Sequence, residues 1–189
     1  GEMAEKTRYF LALSDFYSGD YEFSAIQLKS LGRQYTSYYA NDALELRLWL
    51  QAINAMDSTA QENVAFPRAM LEELKGNNTK AEAMLWKVAR NQNNPFSGYS
   101  FVVLYSLGAD LEEYVTSLDK YLVDQKNTPL REQLMWLRAQ AALHLNTQDS
   151  SSVSSNALYS YYEELILSFP NGFYSPLARK ALNVLNIPS

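Results

Sequence analysis

The residue types that do most enzyme chemistry are scarce in this chain. It has no cysteine and one histidine, His144, in 189 residues. A Cys–His nucleophile is therefore impossible, and a Ser–His–acid triad would have to be built on His144. That residue sits in Ala141-Ala142-Leu143-His144-Leu145-Asn146, near the end of a helical pattern. There an imidazole beside free carbonyls has an ordinary structural use. A metal site would need several converging carboxylates, and no D-x-D-x-D-G loop is present. The acidic doublets Glu72-Glu73, Glu112-Glu113 and Glu163-Glu164 make no carboxylate dyad by themselves, because successive helical residues point about 100° apart. They read as solvated helix faces. Neither G-x-x-x-x-G-K nor G-x-G-x-x-G occurs, so there is no phosphate-binding loop. The expectation is a non-enzyme with no metal and no cofactor.

What remains for function is recognition. Polar residues on otherwise apolar helices are the candidates: Arg47, Gln51 and Asn54, then Arg131 and Arg138. Arg131 and Arg138 are seven apart and share a helix face. Paired guanidinium groups suit a carboxylate, which they hold through two parallel hydrogen bonds. The competing reading is that these residues are a solvated stripe. Trp49, Trp86 and Trp136 each lie inside an apolar helix and read as core. The clusters Tyr35/Tyr38/Tyr39 and Tyr159/Tyr161/Tyr162 cannot all face inward, so some of their rings are exposed, where tyrosine commonly makes contacts; packing between repeats is the preferred reading of the clusters. Asn77-Asn78-Thr79 matches a glycosylation sequon, a match common by chance.

Composition narrows the class of partner. Apolar residues make up 47% of the chain and charged ones 20%, enough to bury a core. The formal net charge of −5 comes from 21 acidic and 16 basic residues with no basic block. Nucleic-acid binding needs Lys and Arg gathered on one face to displace counterions, so it is not expected. No apolar run reaches the roughly 20 residues that span a bilayer. No signal peptide is visible, although Gly1-Glu2-Met3 reads as the start of a trimmed chain, which leaves an export signal upstream open.

The elements that must carry these residues are helices. Apolar residues recur three or four apart, as at Ile26, Leu28, Leu31 and Tyr35, and alternation typical of strands never persists. Helices are predicted over 2–17, 21–35, 41–56, 58–75, 80–90, 96–107, 111–123, 129–146, 156–169 and 174–185. Asn41 or Asp42 is expected to cap the third, and Asn78 or Thr79 the fifth, because short polar side chains accept first-turn N–H groups. Pro67 implies a kink or a late start for the fourth. Asn127-Thr128-Pro129 reads as a cap followed by a first-turn proline. The third helix is apolar nearly all round and is expected to be central. Gln148 to Ser155 reads as a flexible loop.

A repeat is visible in this pattern. Ala12, Gly19 and Ser24 in the first helix pair match Ala69, Gly76 and Ala81 in the fourth and fifth helices, and Leu28 and Leu31 match Leu85 and Val88. Helices that cross closely need small residues where their axes approach, and glycine must turn the chain between them. A shift of 87 residues aligns Ser30-Leu31 with Ser117-Leu118, Glu45 with Glu132, Trp49-Leu50 with Trp136-Leu137 and Ala52 with Ala139.

Leu11-Ala12, Gly19-Asp20-Tyr21-Glu22, Ser24, Leu28 and Leu31 resemble the tetratricopeptide (TPR) consensus. Tyr162-Glu163-Glu164-Leu165, Phe169-Pro170-Asn171, Tyr174-Ser175 and Ala178 look like a run found in bacterial envelope TPR proteins. The resemblance implies one all-α domain over 1–189, a right-handed α-α superhelix of TPR-like hairpins with irregular repeats. It implies a protein-binding scaffold whose partner is a protein or peptide, in the bacterial periplasm or cell envelope rather than the cytoplasm. The pair at 96–123 lacks small crossing residues, and the helix at 41–56 has no obvious mate. The alternatives are a structural segment of a longer array, with homodimers through an exposed array end, and an α-solenoid enzyme.

Overall fold

A computed structural model describes residues 1–31, 38–56, 64–148 and 153–185. Among these residues there are ten α-helices and no strand. They are α1 (Glu2–Ser18), α2 (Tyr21–Leu31), α3 (Ala40–Ala55), α4 (Ala65–Leu74), α5 (Asn78–Arg90), α6 (Ser97–Leu107), α7 (Leu111–Asp124), α8 (Arg131–Gln148), α9 (Ser155–Ser168) and α10 (Ser175–Leu185). The chain divides into two compact units, Gly1–Val88 with Asn94–Phe96, and Ala89–Asn93 with Ser97–Ser189.

One turn recurs three times. Gly19, Gly76 and Gly108 have φ of 89°, 81° and 74°, the left-handed region that a Cβ disfavours. Each closes the first helix of a hairpin with the same two bonds. Gly19 N donates to Phe16 O and Asp20 N to Asp15 O; Gly76 N to Glu73 O and Asn77 N to Glu72 O; Gly108 N to Tyr105 O and Ala109 N to Leu104 O. Carbonyls that the helix end leaves free are thereby satisfied and the chain reverses in two residues.

Seven residues before each glycine lies a buried residue, Ala12, Ala69 or Phe101. In the first hairpin Ala12 and Ser24 are both fully buried, and the Ser24 hydroxyl donates to Ala12 O at 2.7 Å. In the second, Ala69 and Ala81 are both fully buried. In the third the equivalent of Ala12 is Phe101, and Tyr114 of α7 donates its hydroxyl to Phe101 O at 3.0 Å. The bond from α2 to the α1 backbone thus has a counterpart from α7 to α6, spanned by an aromatic ring instead of a CH2. This accounts for the missing small residues at 96–123.

The first unit is built around a cluster of rings. Phe66 and Phe96 stack with centroids 4.7 Å apart, and Trp49 meets Phe66 edge-on at 5.2 Å and Phe16 at 5.7 Å. In the second unit α7, α8 and α9 pack in succession, and α10 packs on α9. The turn between α9 and α10 explains the Phe169–Ala178 run. Ser175 donates its hydroxyl to Phe169 O, Arg179 donates to Pro170 O at 2.9 Å, and Ala178 is fully buried.

Several sequence expectations are corrected. Asn41 and Asp42 lie inside α3, whose first turn is closed by Ala43 N donating to Tyr39 O at 2.9 Å with no side-chain cap. Asn78 and Thr79 lie inside α5, since Asn77 O already accepts from Ala81 N. Pro129 precedes α8, because a turn from Thr128 O to Arg131 N comes first. Pro67, expected to mark a kink or a late start, occupies the first turn of α4, where its missing N–H costs nothing. The expectation that α3 is apolar because it is central fails for one face: Leu44 and Leu48 are 54% and 50% exposed. Residues 32–37, 57–63, 149–152 and 186–189 lie outside the described set, and with them Tyr35, the expected helix starting at 58 and the middle of the expected loop at 148–155.

Candidate binding surfaces

In the first unit, α2 and α3 form the walls of an open trough of about 510 Å³. Leu28 and Leu50, both buried, make its floor, and Ala25 and Lys29 belong to the α2 wall. The α3 wall carries Arg47, Gln51 and Asn54, spaced by four and three residues and so on one face. Three of the five sequence-derived candidates therefore share one surface. Arg47 is half-buried, and its Nη2 donates to Leu28 O at 2.9 Å. That bond to the α2 backbone fixes the guanidinium at the trough's edge. Lys29, Gln51 and Asn54 are exposed.

Arg131 and Arg138 belong to the second unit and are placed differently. Arg131 Nη1 reaches back to Leu122 O at 2.7 Å, where it meets the last turn of α7. Arg138 is only 5% exposed. Its Nη1 donates to Asp119 Oδ1 of α7 at 2.9 Å, and its Nη2 to Glu164 Oε2 of α9 at 2.5 Å. The guanidinium also lies 4.3 Å from the Tyr161 ring centroid, while the Tyr161 hydroxyl donates to Asp119 Oδ2 at 2.7 Å. Burial, and then the hydrogen bond to Asp119, push the Tyr161 phenol up to about 12. This arginine ties three helices together: Nη1 and Nη2 each bond a carboxylate of the chain, while Nε is buried without a partner. Seven-residue spacing gave the shared face correctly but could not show that carboxylates of α7 and α9 already stand on it.

The second unit has an apolar groove that sequence reading missed, of about 340 Å³, between α8, α9 and α10. Trp136, Leu143, Leu177, Val184 and Leu185 line it, with Lys180 on its rim. Trp136 was expected in the core but is only half-buried, stacked on Tyr174 at 5.5 Å. The available signal was the i, i+4, i+7 stripe Leu177, Ala181, Val184, which lies apart from the buried pair Ser175 and Ala178.

The remaining candidates for chemistry are accounted for locally. His144 is exposed, with its Nε2 3.2 Å from the Gln148 amide nitrogen. Glu72 meets Lys80 at 3.0 Å and Glu113 pairs with Arg90, so the doublets are partly ion-paired rather than merely solvated. Tyr38 is exposed, whereas Tyr39 stacks on Tyr9 at 5.3 Å. Among the described residues no group of three or more acidic or histidine side chains could hold a metal, and no helix is long and apolar enough to cross a membrane. No family model, no curated protein and no solved structure matches this chain.

Proposed function

We propose that this chain is a protein-binding scaffold of TPR-like hairpins, stacked as a right-handed superhelix, and that the α2/α3 trough receives a protein or peptide partner. The observation that carries the reading is the trough itself. An apolar floor bordered by Arg47, Gln51 and Asn54 combines burial for side chains with polar groups that fix orientation. The three glycine-turned hairpins support the repeat reading, since stacked pairs present continuous surfaces. The resemblance to envelope TPR proteins favours a periplasmic or envelope setting, which fractionation of the native cell tests.

The experiment is capture of partners by the full chain and by an Ala25→Trp variant. Ala25 is exposed on the trough wall, so the indole fills the trough without disturbing the core. Loss of a captured partner supports the reading; undiminished capture removes this face. Turnover of a substrate by the purified chain would overturn the scaffold reading itself.

A second reading, a structural segment that stacks on a further copy, is favoured by the apolar α8–α10 groove with Leu177 and Val184 exposed. Sedimentation equilibrium of the chain and of Val184→Glu tests it: self-association abolished by the substitution supports stacking, and a monomer throughout refutes it.

A further inference from the structure

We infer that the occupant of the α2/α3 trough is a through-running peptide segment with an Asp or Glu side chain beside aliphatic ones. This deepens the proposed function and rests on it. The chain as a whole carries a net charge of −5, yet among the described residues the trough lining includes two cations, Lys29 and Arg47, and no carboxylate. The charges flank Leu28 from opposite walls, Lys29 on α2 and Arg47 on α3. A carboxylate entering there meets an ammonium from one side and a guanidinium from the other. Arg47 is already held by its bond to Leu28 O, so part of the ordering cost of binding is met before the ligand arrives.

The other polar groups set the form of the ligand. Gln51 and Asn54 lie four and seven residues beyond Arg47, about 6 and 10 Å further along α3 at 1.5 Å per residue. Extended chain covers about 3.3 Å per residue, so this length is matched by three residues. Carboxamides both donate and accept, which suits the alternating N–H and C=O groups of an extended backbone. A chain terminus would call for donors gathered at one point; here they are spread along the wall, which suits a segment passing through. Leu28 and Leu50 beneath take the aliphatic side chains.

The test is selection from a library of short peptides, acetylated and amidated so that every carboxylate is a side chain, against the intact protein. The best binders are then measured on Lys29→Gln, Arg47→Gln and Ala25→Trp. Lys29 is exposed, so its variant keeps the fold even if Arg47→Gln loosens α2. Expected are binders enriched in Asp or Glu next to Leu, Ile or Val. Their affinity should fall at least about tenfold in Lys29→Gln, fall with added salt, and be abolished by Ala25→Trp. Uncharged or basic binders that Ala25→Trp still blocks would overturn the acidic occupant and leave the trough as a binding site. Binders unaffected by Ala25→Trp, or no enrichment at all, would overturn both. Acidic binders whose affinity rises at least about tenfold when they are remade with a free C-terminal carboxylate would overturn the through-running form.

Discussion

The hairpin crossings give the sharpest test of the fold argument, because the same position demands opposite sizes in two hairpins. Ala12 and Phe101 both lie seven residues before a left-handed glycine, and both carbonyls accept a hydroxyl from the second helix. Ser24→Ala removes only the hydroxyl. Ala12 O keeps its place in the α1 ladder, so no buried acceptor is orphaned and the loss should be about 0.5–1.5 kcal/mol. Tyr114→Phe should cost a similar amount by the same reasoning. Ala12→Leu forces three carbons into a site with no exposed surface and should cost about 1–3 kcal/mol. Phe101→Ala, the opposite change in size, should cost about 3–5 kcal/mol through the cavity it leaves. Thermal unfolding followed by far-ultraviolet circular dichroism reads these as shifts of about 4–8 °C per kcal/mol for a unit of this size. If Ala12→Leu melts with the parent chain, the close crossing of α1 and α2 is refuted. If Phe101→Ala does so, the claim that an aromatic fills the wider α6/α7 crossing fails.

Arg138→Met should destabilise the second unit by about 1–3 kcal/mol in urea unfolding, the lower part of the range reflecting that Asp119 and Glu164 are 40% and 47% exposed and can return to water. Arg138→Lys should not restore it, since an ammonium cannot bridge both carboxylates and stack on Tyr161. Alkaline pH should also weaken the fold. Burial raises Tyr9, Tyr161 and Tyr162 to about 12, above the ordinary value near 10. The folded chain therefore holds protons that the unfolded chain releases, and stability present below pH 10 is lost as pH rises towards about 12. A melting midpoint flat across that window would contradict it. Gly172→Ala should cost about 1–3 kcal/mol, because a Cβ there meets the Glu132 carboxylate that accepts from Tyr174 N at 2.8 Å; an unchanged urea midpoint would show the turn to be looser than this.

Helices and turns were legible because they depend on local chemistry. Apolar spacing and glycine position are written within a few residues, and Gly19 and Gly76 mark hairpins with identical backbone bonds. Gly108 went unread as a member of the set because the crossing residues around it are large, and equivalence was sought in side-chain size rather than in the turn. Caps were less legible. A short polar residue near a predicted start can bond the first turn, but Tyr39 and Asn77 preceded the candidates and closed that turn with their carbonyls.

The five candidate residues show where sequence stops determining a site. Arg47, Gln51 and Asn54 share one helix, so their common face followed from periodicity, and the trough is on that face. Arg131 and Arg138 also share one face, by the same rule. What separates the two sets is the partner helix: α2 brings Leu28 and Lys29 to Arg47, whereas α7 and α9 bring Asp119 and Glu164 to Arg138. A cation facing an apolar floor and a backbone carbonyl keeps donors for a ligand. One facing two carboxylates has its charge neutralised within the fold. Periodicity on one helix therefore names the residues that share a face, and the charge on the facing helices decides which of their cations are paired within the fold.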